Sequence, residues 1–171
     1  MATAASFKWV ADFLCFPVDI RNVCVFLAPI FAGLTSVSTF FLAKECTNKS
    51  ETGLLAALFI SIVPSYISRS VAGSYDNEGV AIFALITTFY LWVKAVNTGS
   101  ILWSVACSLS YFYMVAAWGG YSFIINIIPI FVLGMLFIGK FNSKIYVAYS
   151  VFYVLGTQMA MLIPFVSFNA I

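Results

Sequence analysis

Six long apolar stretches separated by short polar breaks leave this chain few ways to fold. They run over residues 23–43, 53–67, 79–96, 101–118, 121–139 and 145–165. A helix that crosses a bilayer needs about 20 mostly apolar residues, because its backbone groups find no water in hydrocarbon and must bond within the segment. The second and fourth stretches are short, and each ends at a polar or glycine-bearing break, "PSYISRSVAGSYDNEG" and "AWGGY". The other connections, "KECTNKSE", "NTGS" and "KFNSK", are brief. Composition agrees: 63% of the 171 residues are hydrophobic and 8% charged, against roughly a quarter charged in soluble domains. The expected fold is an all-α, polytopic transmembrane helical bundle of about six spans. No repeat, low-complexity linker or soluble domain interrupts it.

Several functions are excluded by what the chain lacks. It has no histidine, which removes histidine proton relays, Ser-His triads and zinc sites of the usual kind. A net charge of +2, with no basic cluster, speaks against nucleic acid. Cys15, Cys24, Cys46 and Cys107 show no paired spacing and read as small apolar residues. The N-terminus has no long apolar core and no cleavage pattern, so it does not read as a signal peptide.

Basic residues give the orientation. With six spans, Lys44, Lys49, Lys94, Lys140 and Lys144 share one face, and Lys8, Arg21 and Arg69 the other. The positive-inside rule makes the lysine face cytoplasmic. Residues 1–22 are then an N-terminal lumenal segment, and 23–171 the multi-span domain. Both unusual breaks, Arg69–Glu78 and Trp118–Tyr121, fall together on the lumenal side. The formal glycosylation acceptor Asn48-Lys49-Ser50 faces the cytoplasm and is expected to be unmodified.

Arg69, Asp76 and Glu78 fall within ten positions of a chain nearly free of charge. In one reading the acids serve the helix that follows. Ser74 or Asp76 caps its free N–H groups, the helix dipole favours both carboxylates, and Arg69 neutralises one of them. In another, Asp76 and Glu78 are hard oxygen ligands for magnesium or manganese. Side chains two apart diverge on a regular helix but converge in an extended or first-turn backbone, and Gly73 and Gly79 would permit the bend. A third reading makes the pair part of an ion pathway. The segment "YFYMVAAWGGYSF" adds Tyr111, Tyr113, Trp118 and Tyr121 near the same face, where aromatics commonly anchor a span. Its double glycine allows a close backbone approach, suited to a polyisoprenoid or sugar-phosphate ligand.

"VDIRNVCVFLAPIFAGLTS", "GLLAALFISIVPSYISRSVAGSYDNEGVAIF", "YFYMVAAWGGYSFIINIIPI" and "MLIPFVSF" closely resemble the catalytic subunit of eukaryotic oligosaccharyltransferase. The likeness runs from about residue 17 to the end, and "SVAGSYDNEG" is its most specific part. The resemblance implies a glycosyltransferase that moves a preassembled oligosaccharide from dolichyl pyrophosphate to asparagine in nascent N-x-S/T sites. It implies a multi-pass protein of the endoplasmic reticulum membrane with its site facing the lumen. By position, Asp76 looks like a metal-ligand aspartate, Glu78 like the neighbouring acid of the metal and acceptor-amide site, and Arg69 like the arginine of the same catalytic cluster. Trp118 and Tyr121 fall where the family contacts its lipid-linked donor. The implied cofactor is Mn2+ or Mg2+. Implied partners are the dolichyl-pyrophosphate-linked oligosaccharide, the acceptor polypeptide, other transferase subunits and membrane lipid.

The implied chemistry suits these residues. A carboxamide nitrogen is a poor nucleophile because its lone pair is delocalised. Carboxylates that bond both amide protons would twist it out of conjugation while the metal stabilises the departing pyrophosphate. The family's first acidic motif, its third lumenal carboxylate and its W-W-D-Y-G domain do not occur in this chain. The chain is therefore expected to be an internal piece of a longer subunit, inactive alone, so that it restores no glycosylation to membranes depleted of that subunit. Two other classes compete: a cation- or proton-coupled transporter using Asp76 and Glu78, and a non-catalytic membrane scaffold.

Overall fold

The computed structural model describes residues 2–13, 19–73, 76–163 and 166. Among them it contains helices and no strand: α1 (Ala2–Phe13), α2 (Ile20–Thr47), α3 (Ser50–Ile62), α4 (Pro64–Ile67), α5 (Asn77–Thr98), α6 (Ile101–Ala117), α7 (Tyr121–Phe137) and α8 (Ser143–Met161). Cys15, Ser74 and the last two residues of the sixth apolar stretch lie outside the described residues. The helical membrane bundle expected from the sequence is the architecture found. α2 and α5 are long and apolar enough to cross a bilayer, and α3, α6 and α7 are shorter apolar helices.

Two boundaries differ from the hydropathy reading for local reasons. The stretch expected at 53–67 is broken at Val63, which adopts φ −59 and ψ 119 ahead of Pro64 at the first position of α4. A proline ring disfavours helical backbone in the residue before it, so the chain must leave α3 there. At 13 residues, α3 rises only about 20 Å, less than the roughly 30 Å of hydrocarbon. The N-terminal segment expected at 1–22 holds α1 and the first turn of α2. Pro29 and Pro129 lie inside α2 and α7 without ending them, as spans packed against neighbours allow.

The core sits among α5, α6 and α8, with α7 against it. Phe152 is fully buried, edge-on to Trp92 at 5.7 Å and to Tyr111 at 5.5 Å between ring centroids. Tyr111 is thereby corrected. It is a core residue on the α8 side of α6, 1% exposed, rather than a member of an interfacial belt. Small hydroxyl residues line the α5–α6 seam. Thr88 Oγ1 donates to Ala84 O at 2.7 Å and pairs with Ser110 Oγ at 3.0 Å. Such pairing leaves no bare hydroxyl in an apolar setting and lets the helices approach closely.

α3 shows the same dependence on small residues at one point. Gly53 is its buried residue, while Leu54, Leu55, Leu58, Phe59 and Ile62 are exposed, a lipid-facing pattern. A β-carbon on Gly53 would lie 2.9 Å from the Phe40 carbonyl oxygen, a backbone atom that cannot step aside. Gly53→Val is expected to part α2 from α3 at a cost of about 1–3 kcal/mol. It would appear as a lowered unfolding midpoint in detergent micelles, with no comparable loss for Gly134→Val, where nothing lies nearby.

The two ends of the bundle are chemically distinct. At one, Asn97 Nδ2 donates to Glu45 Oε1 at 3.4 Å, and Lys144 Nζ donates to Asn97 O at 3.3 Å. Ends of α2, α5 and α8 are thus tied together. Lys94 lies 4.2 Å from the Trp103 ring centroid and donates to Tyr90 Oη at 2.9 Å. Lys144 thus lies where the ends of α2, α5 and α8 meet, and Lys94 sits in the last two turns of α5. The other end of α5 begins at Asp76, one 22-residue helix away.

Candidate functional site

Asp76 is the N-cap of α5. Its backbone is extended at φ −115 and ψ 148, and its Oδ1 accepts from the Asn77 N–H at 2.8 Å. Glu78 follows in the first helical turn. This change of backbone solves the spacing problem, since an extended residue followed by a first-turn residue can aim both side chains one way. They meet on Arg69, whose Nη1 lies 2.6 Å from Glu78 Oε2 and 3.6 Å from Asp76 Oδ2. Arg69 therefore engages both acids, more than the neutralisation of one carboxylate that helix capping required. Gly73, at φ +93, takes the left-handed turn that brings the chain round, and its N–H donates to Val25 O at 3.2 Å. Gly79 contributes no bend; it is a buried helical residue of α5.

The cluster is open. Arg69, Asp76 and Glu78 side chains are 53%, 48% and 33% exposed, so the ion pairs themselves contribute only about 0.2–1 kcal/mol. Their arrangement matters more for what it presents. Glu78 lines a cleft of about 160 Å³ together with Ala81, Ile82 and Trp118. Among the described residues, a carboxylate thus stands in a recess whose other lining is apolar or aromatic, next to a cation and a second carboxylate. Trp118, 46% exposed, ends α6 in extended backbone with its N–H on Met114 O. Tyr121 is not among the described residues that line the cleft; it packs against the core between α5, α6 and α8.

Two contributors to the site were not found from sequence. Tyr66, on α4, donates its hydroxyl to Thr35 Oγ1 at 2.7 Å, and Thr35 Oγ1 in turn donates to Phe31 O at 2.7 Å. This buried chain fixes α4, and so Arg69 just beyond it, against α2. Tyr66→Phe is expected to cost about 0.5–1.5 kcal/mol and to raise amide exchange selectively at Ser68–Ser70. Equal exchange in both proteins would show that the hydroxyl does not hold this turn. α1 is the second contributor. Ala4 packs with Leu27, Phe31 and Val80, and Thr3 Oγ1 pairs with Tyr113 Oη at 3.1 Å, which places α1 beside the start of α5. The signal in "PSY" and in an amphipathic N-terminus is too common to single out either one.

The donor set suits a hard divalent cation in kind and is incomplete in number. Two carboxylates converge, whereas such an ion takes six or more oxygens. Among the described residues no group of three or more His, Cys, Asp or Glu comes together.

Comparison with known proteins places this chain in a family. The family described as "Oligosaccharyl transferase STT3, N-terminal" matches residues 1–171. The subunit stt-3 of the dolichyl-diphosphooligosaccharide–protein glycosyltransferase of Caenorhabditis elegans is 55% identical over all 171 residues, and subunit STT3 of Dictyostelium discoideum is 54% identical over the same length. Subunit STT3B of Arabidopsis thaliana is 55% identical over 169 residues. The chain spans 22%, 24% and 23% of these relatives, respectively. A family match over the whole chain, joined to identity of this depth, means that the chain belongs to the STT3 family of oligosaccharyltransferase subunits.

Proposed function

We propose that this chain supplies part of the catalytic site for transfer of an oligosaccharide from dolichyl diphosphate to asparagine of a polypeptide. The observation that carries the reading is the meeting of Asp76 and Glu78 on Arg69, with Glu78 also lining the Trp118 cleft. Asp76 and Glu78 would hold Mn2+ or Mg2+ as two ligands of a shell completed by water, by diphosphate oxygens or by residues elsewhere in the assembled enzyme. Such an ion supplies charge stabilisation for a leaving diphosphate. Arg69 keeps the two acids on one side of the turn and adds a fixed positive charge facing an anionic donor. Glu78, in an apolar recess, is suited to accept a hydrogen bond from an acceptor carboxamide. Trp118 offers the donor an aromatic wall, and Tyr121 supports the start of α7 behind it.

The site would face the lumen of the endoplasmic reticulum, with the lysine end cytoplasmic, by the positive-inside rule. Lipid and other transferase subunits would cover the exposed apolar faces. The location of the acids favours transfer over coupled transport. All six acidic residues lie near helix ends or beyond them, whereas transporters place coupling groups close to the bilayer midplane.

Mn2+ titration of the chain in lipid nanodiscs, followed by electron paramagnetic resonance, tests the metal. Saturable binding is expected, weakened by at least about 10–100-fold in Asp76→Ala, since loss of an outer-shell partner alone already costs that much. Identical titration curves for the two proteins would end the metal reading. Gradient-driven ion flux through liposomes holding the chain would favour transport.

A further inference from the structure

Gly120 is conspicuous because nothing in its own backbone asks for glycine. It is the N-cap of α7 at φ −76 and ψ 13, torsions open to ordinary L-residues. At an N-cap glycine is accepted at a cost of a few tenths of a kcal/mol but is not required, since Ser, Asp and Asn serve slightly better, and no side chain caps α7 here. What the position excludes is a β-carbon. Built on Gly120, that carbon would overlap Cζ3, Cε3 and Cη2 of the Trp118 indole. The six-membered ring therefore rests on the bare α-carbon two residues away. Gly120 is part of the tight α6–α7 turn, and the ring it accommodates forms one side of the cleft beside Glu78, Ala81 and Ile82.

We propose that Gly120 is the positioning residue for this wall: its missing β-carbon holds the Trp118 indole in the placement that closes the cleft next to Glu78. A side chain of any size at 120 would swing the indole away and leave the recess open on that side. The residue touches no substrate in this scheme and acts only through Trp118. Its functional consequence rests on the reading of the cleft as a substrate site. Its physical claim concerns the chain alone.

The test uses the 171-residue chain in nanodiscs with 7-fluorotryptophan at its four tryptophans, which keeps the fluorine off the ring atoms nearest Gly120, the Trp118 resonance being assigned by Trp118→Leu. Gly120→Ala is expected to shift the Trp118 fluorine resonance and leave the other three in place. Glu78→Gln is expected to move the Trp118 resonance in the parent and to lose that effect in the Gly120→Ala background. Gly120→Ala should also lower the unfolding midpoint in the parent, and should not do so once Trp118→Leu has removed the ring. An unmoved Trp118 resonance, or an equal loss of midpoint with and without the indole, would overturn the proposal. Should Gly120→Ala fail to fold, recovery of folding in the double variant with Trp118→Leu supports it, and continued failure counts against it. None of these readouts involves metal or donor, so they stand or fall separately from the Mn2+ titration.

Discussion

Asparagine at position 76, in the assembled transferase that carries this segment, is expected to lower oligosaccharide transfer by at least about 100-fold, the scale lost when one preorganised electrostatic contact is removed. The substitution separates the N-cap that Asp76 forms from the metal-binding role proposed for it. As an N-cap, asparagine serves about as well as aspartate, and an amide oxygen can still accept the Asn77 N–H that Oδ1 now receives at 2.8 Å. As a charge, asparagine fails, because it would offer only a neutral oxygen to the proposed divalent ion and to the Arg69 guanidinium 3.6 Å away. Transfer of a labelled glycan from a lipid-linked donor to an N-x-S/T peptide should fall while the thermal midpoint hardly moves. Transfer within about threefold of the parent would mean that Asp76 serves α5 alone, and the capping reading would prevail. Glu78→Gln should behave similarly, since the shorter ion pair to Arg69, 2.6 Å, is the one it weakens.

Phe152→Ala is expected to be the most destabilising single change in the bundle, at about 3 kcal/mol, the lower end of the range for deleting a buried aromatic ring. The reason for the lower end is the solvent. In a bilayer both the packed and the separated helices are surrounded by apolar groups, so little transfer energy is at stake. What is lost is dispersion contact and edge-on ring geometry with Trp92 and Tyr111, together with a cavity that α5, α6 and α8 cannot all close at once. Titration with a denaturing detergent should show the shift, and Phe152→Leu, which keeps most of the volume, should lose less than half as much. Equal loss for both variants would place the effect in ring geometry alone.

The helical bundle was legible because bilayer physics is severe. Runs such as 79–96 and 121–139 must be helices, whatever packs beside them, since no other backbone satisfies itself in hydrocarbon. α5 and α7 accordingly match them within a few residues. Hydropathy could not see Pro64 ending α3, because proline effects are local and conformational while hydropathy sums transfer energies. Tyr111 was misjudged for a related reason. A tyrosine near a span end resembles a belt residue until the facing helix is known, and only the approach of α8 reveals that it is core.

The candidate site divides along the same line. One-dimensional order determined that Arg69, Asp76 and Glu78 are close in the chain, that a helix starts just after them, and that the "AWGGY" break returns to their side of the bundle. Those facts depend on spacing, helix capping and the parity of spans, all of which are local or counted. Folding in three dimensions decided that both acids share one guanidinium nitrogen, that Trp118 joins Glu78 in one cleft and Tyr121 goes to the core, and that Tyr66 bonds Thr35 to hold the turn. Each of these pairs either distant residues or competing rotamers, and side-chain packing chooses between them only when the helices have met.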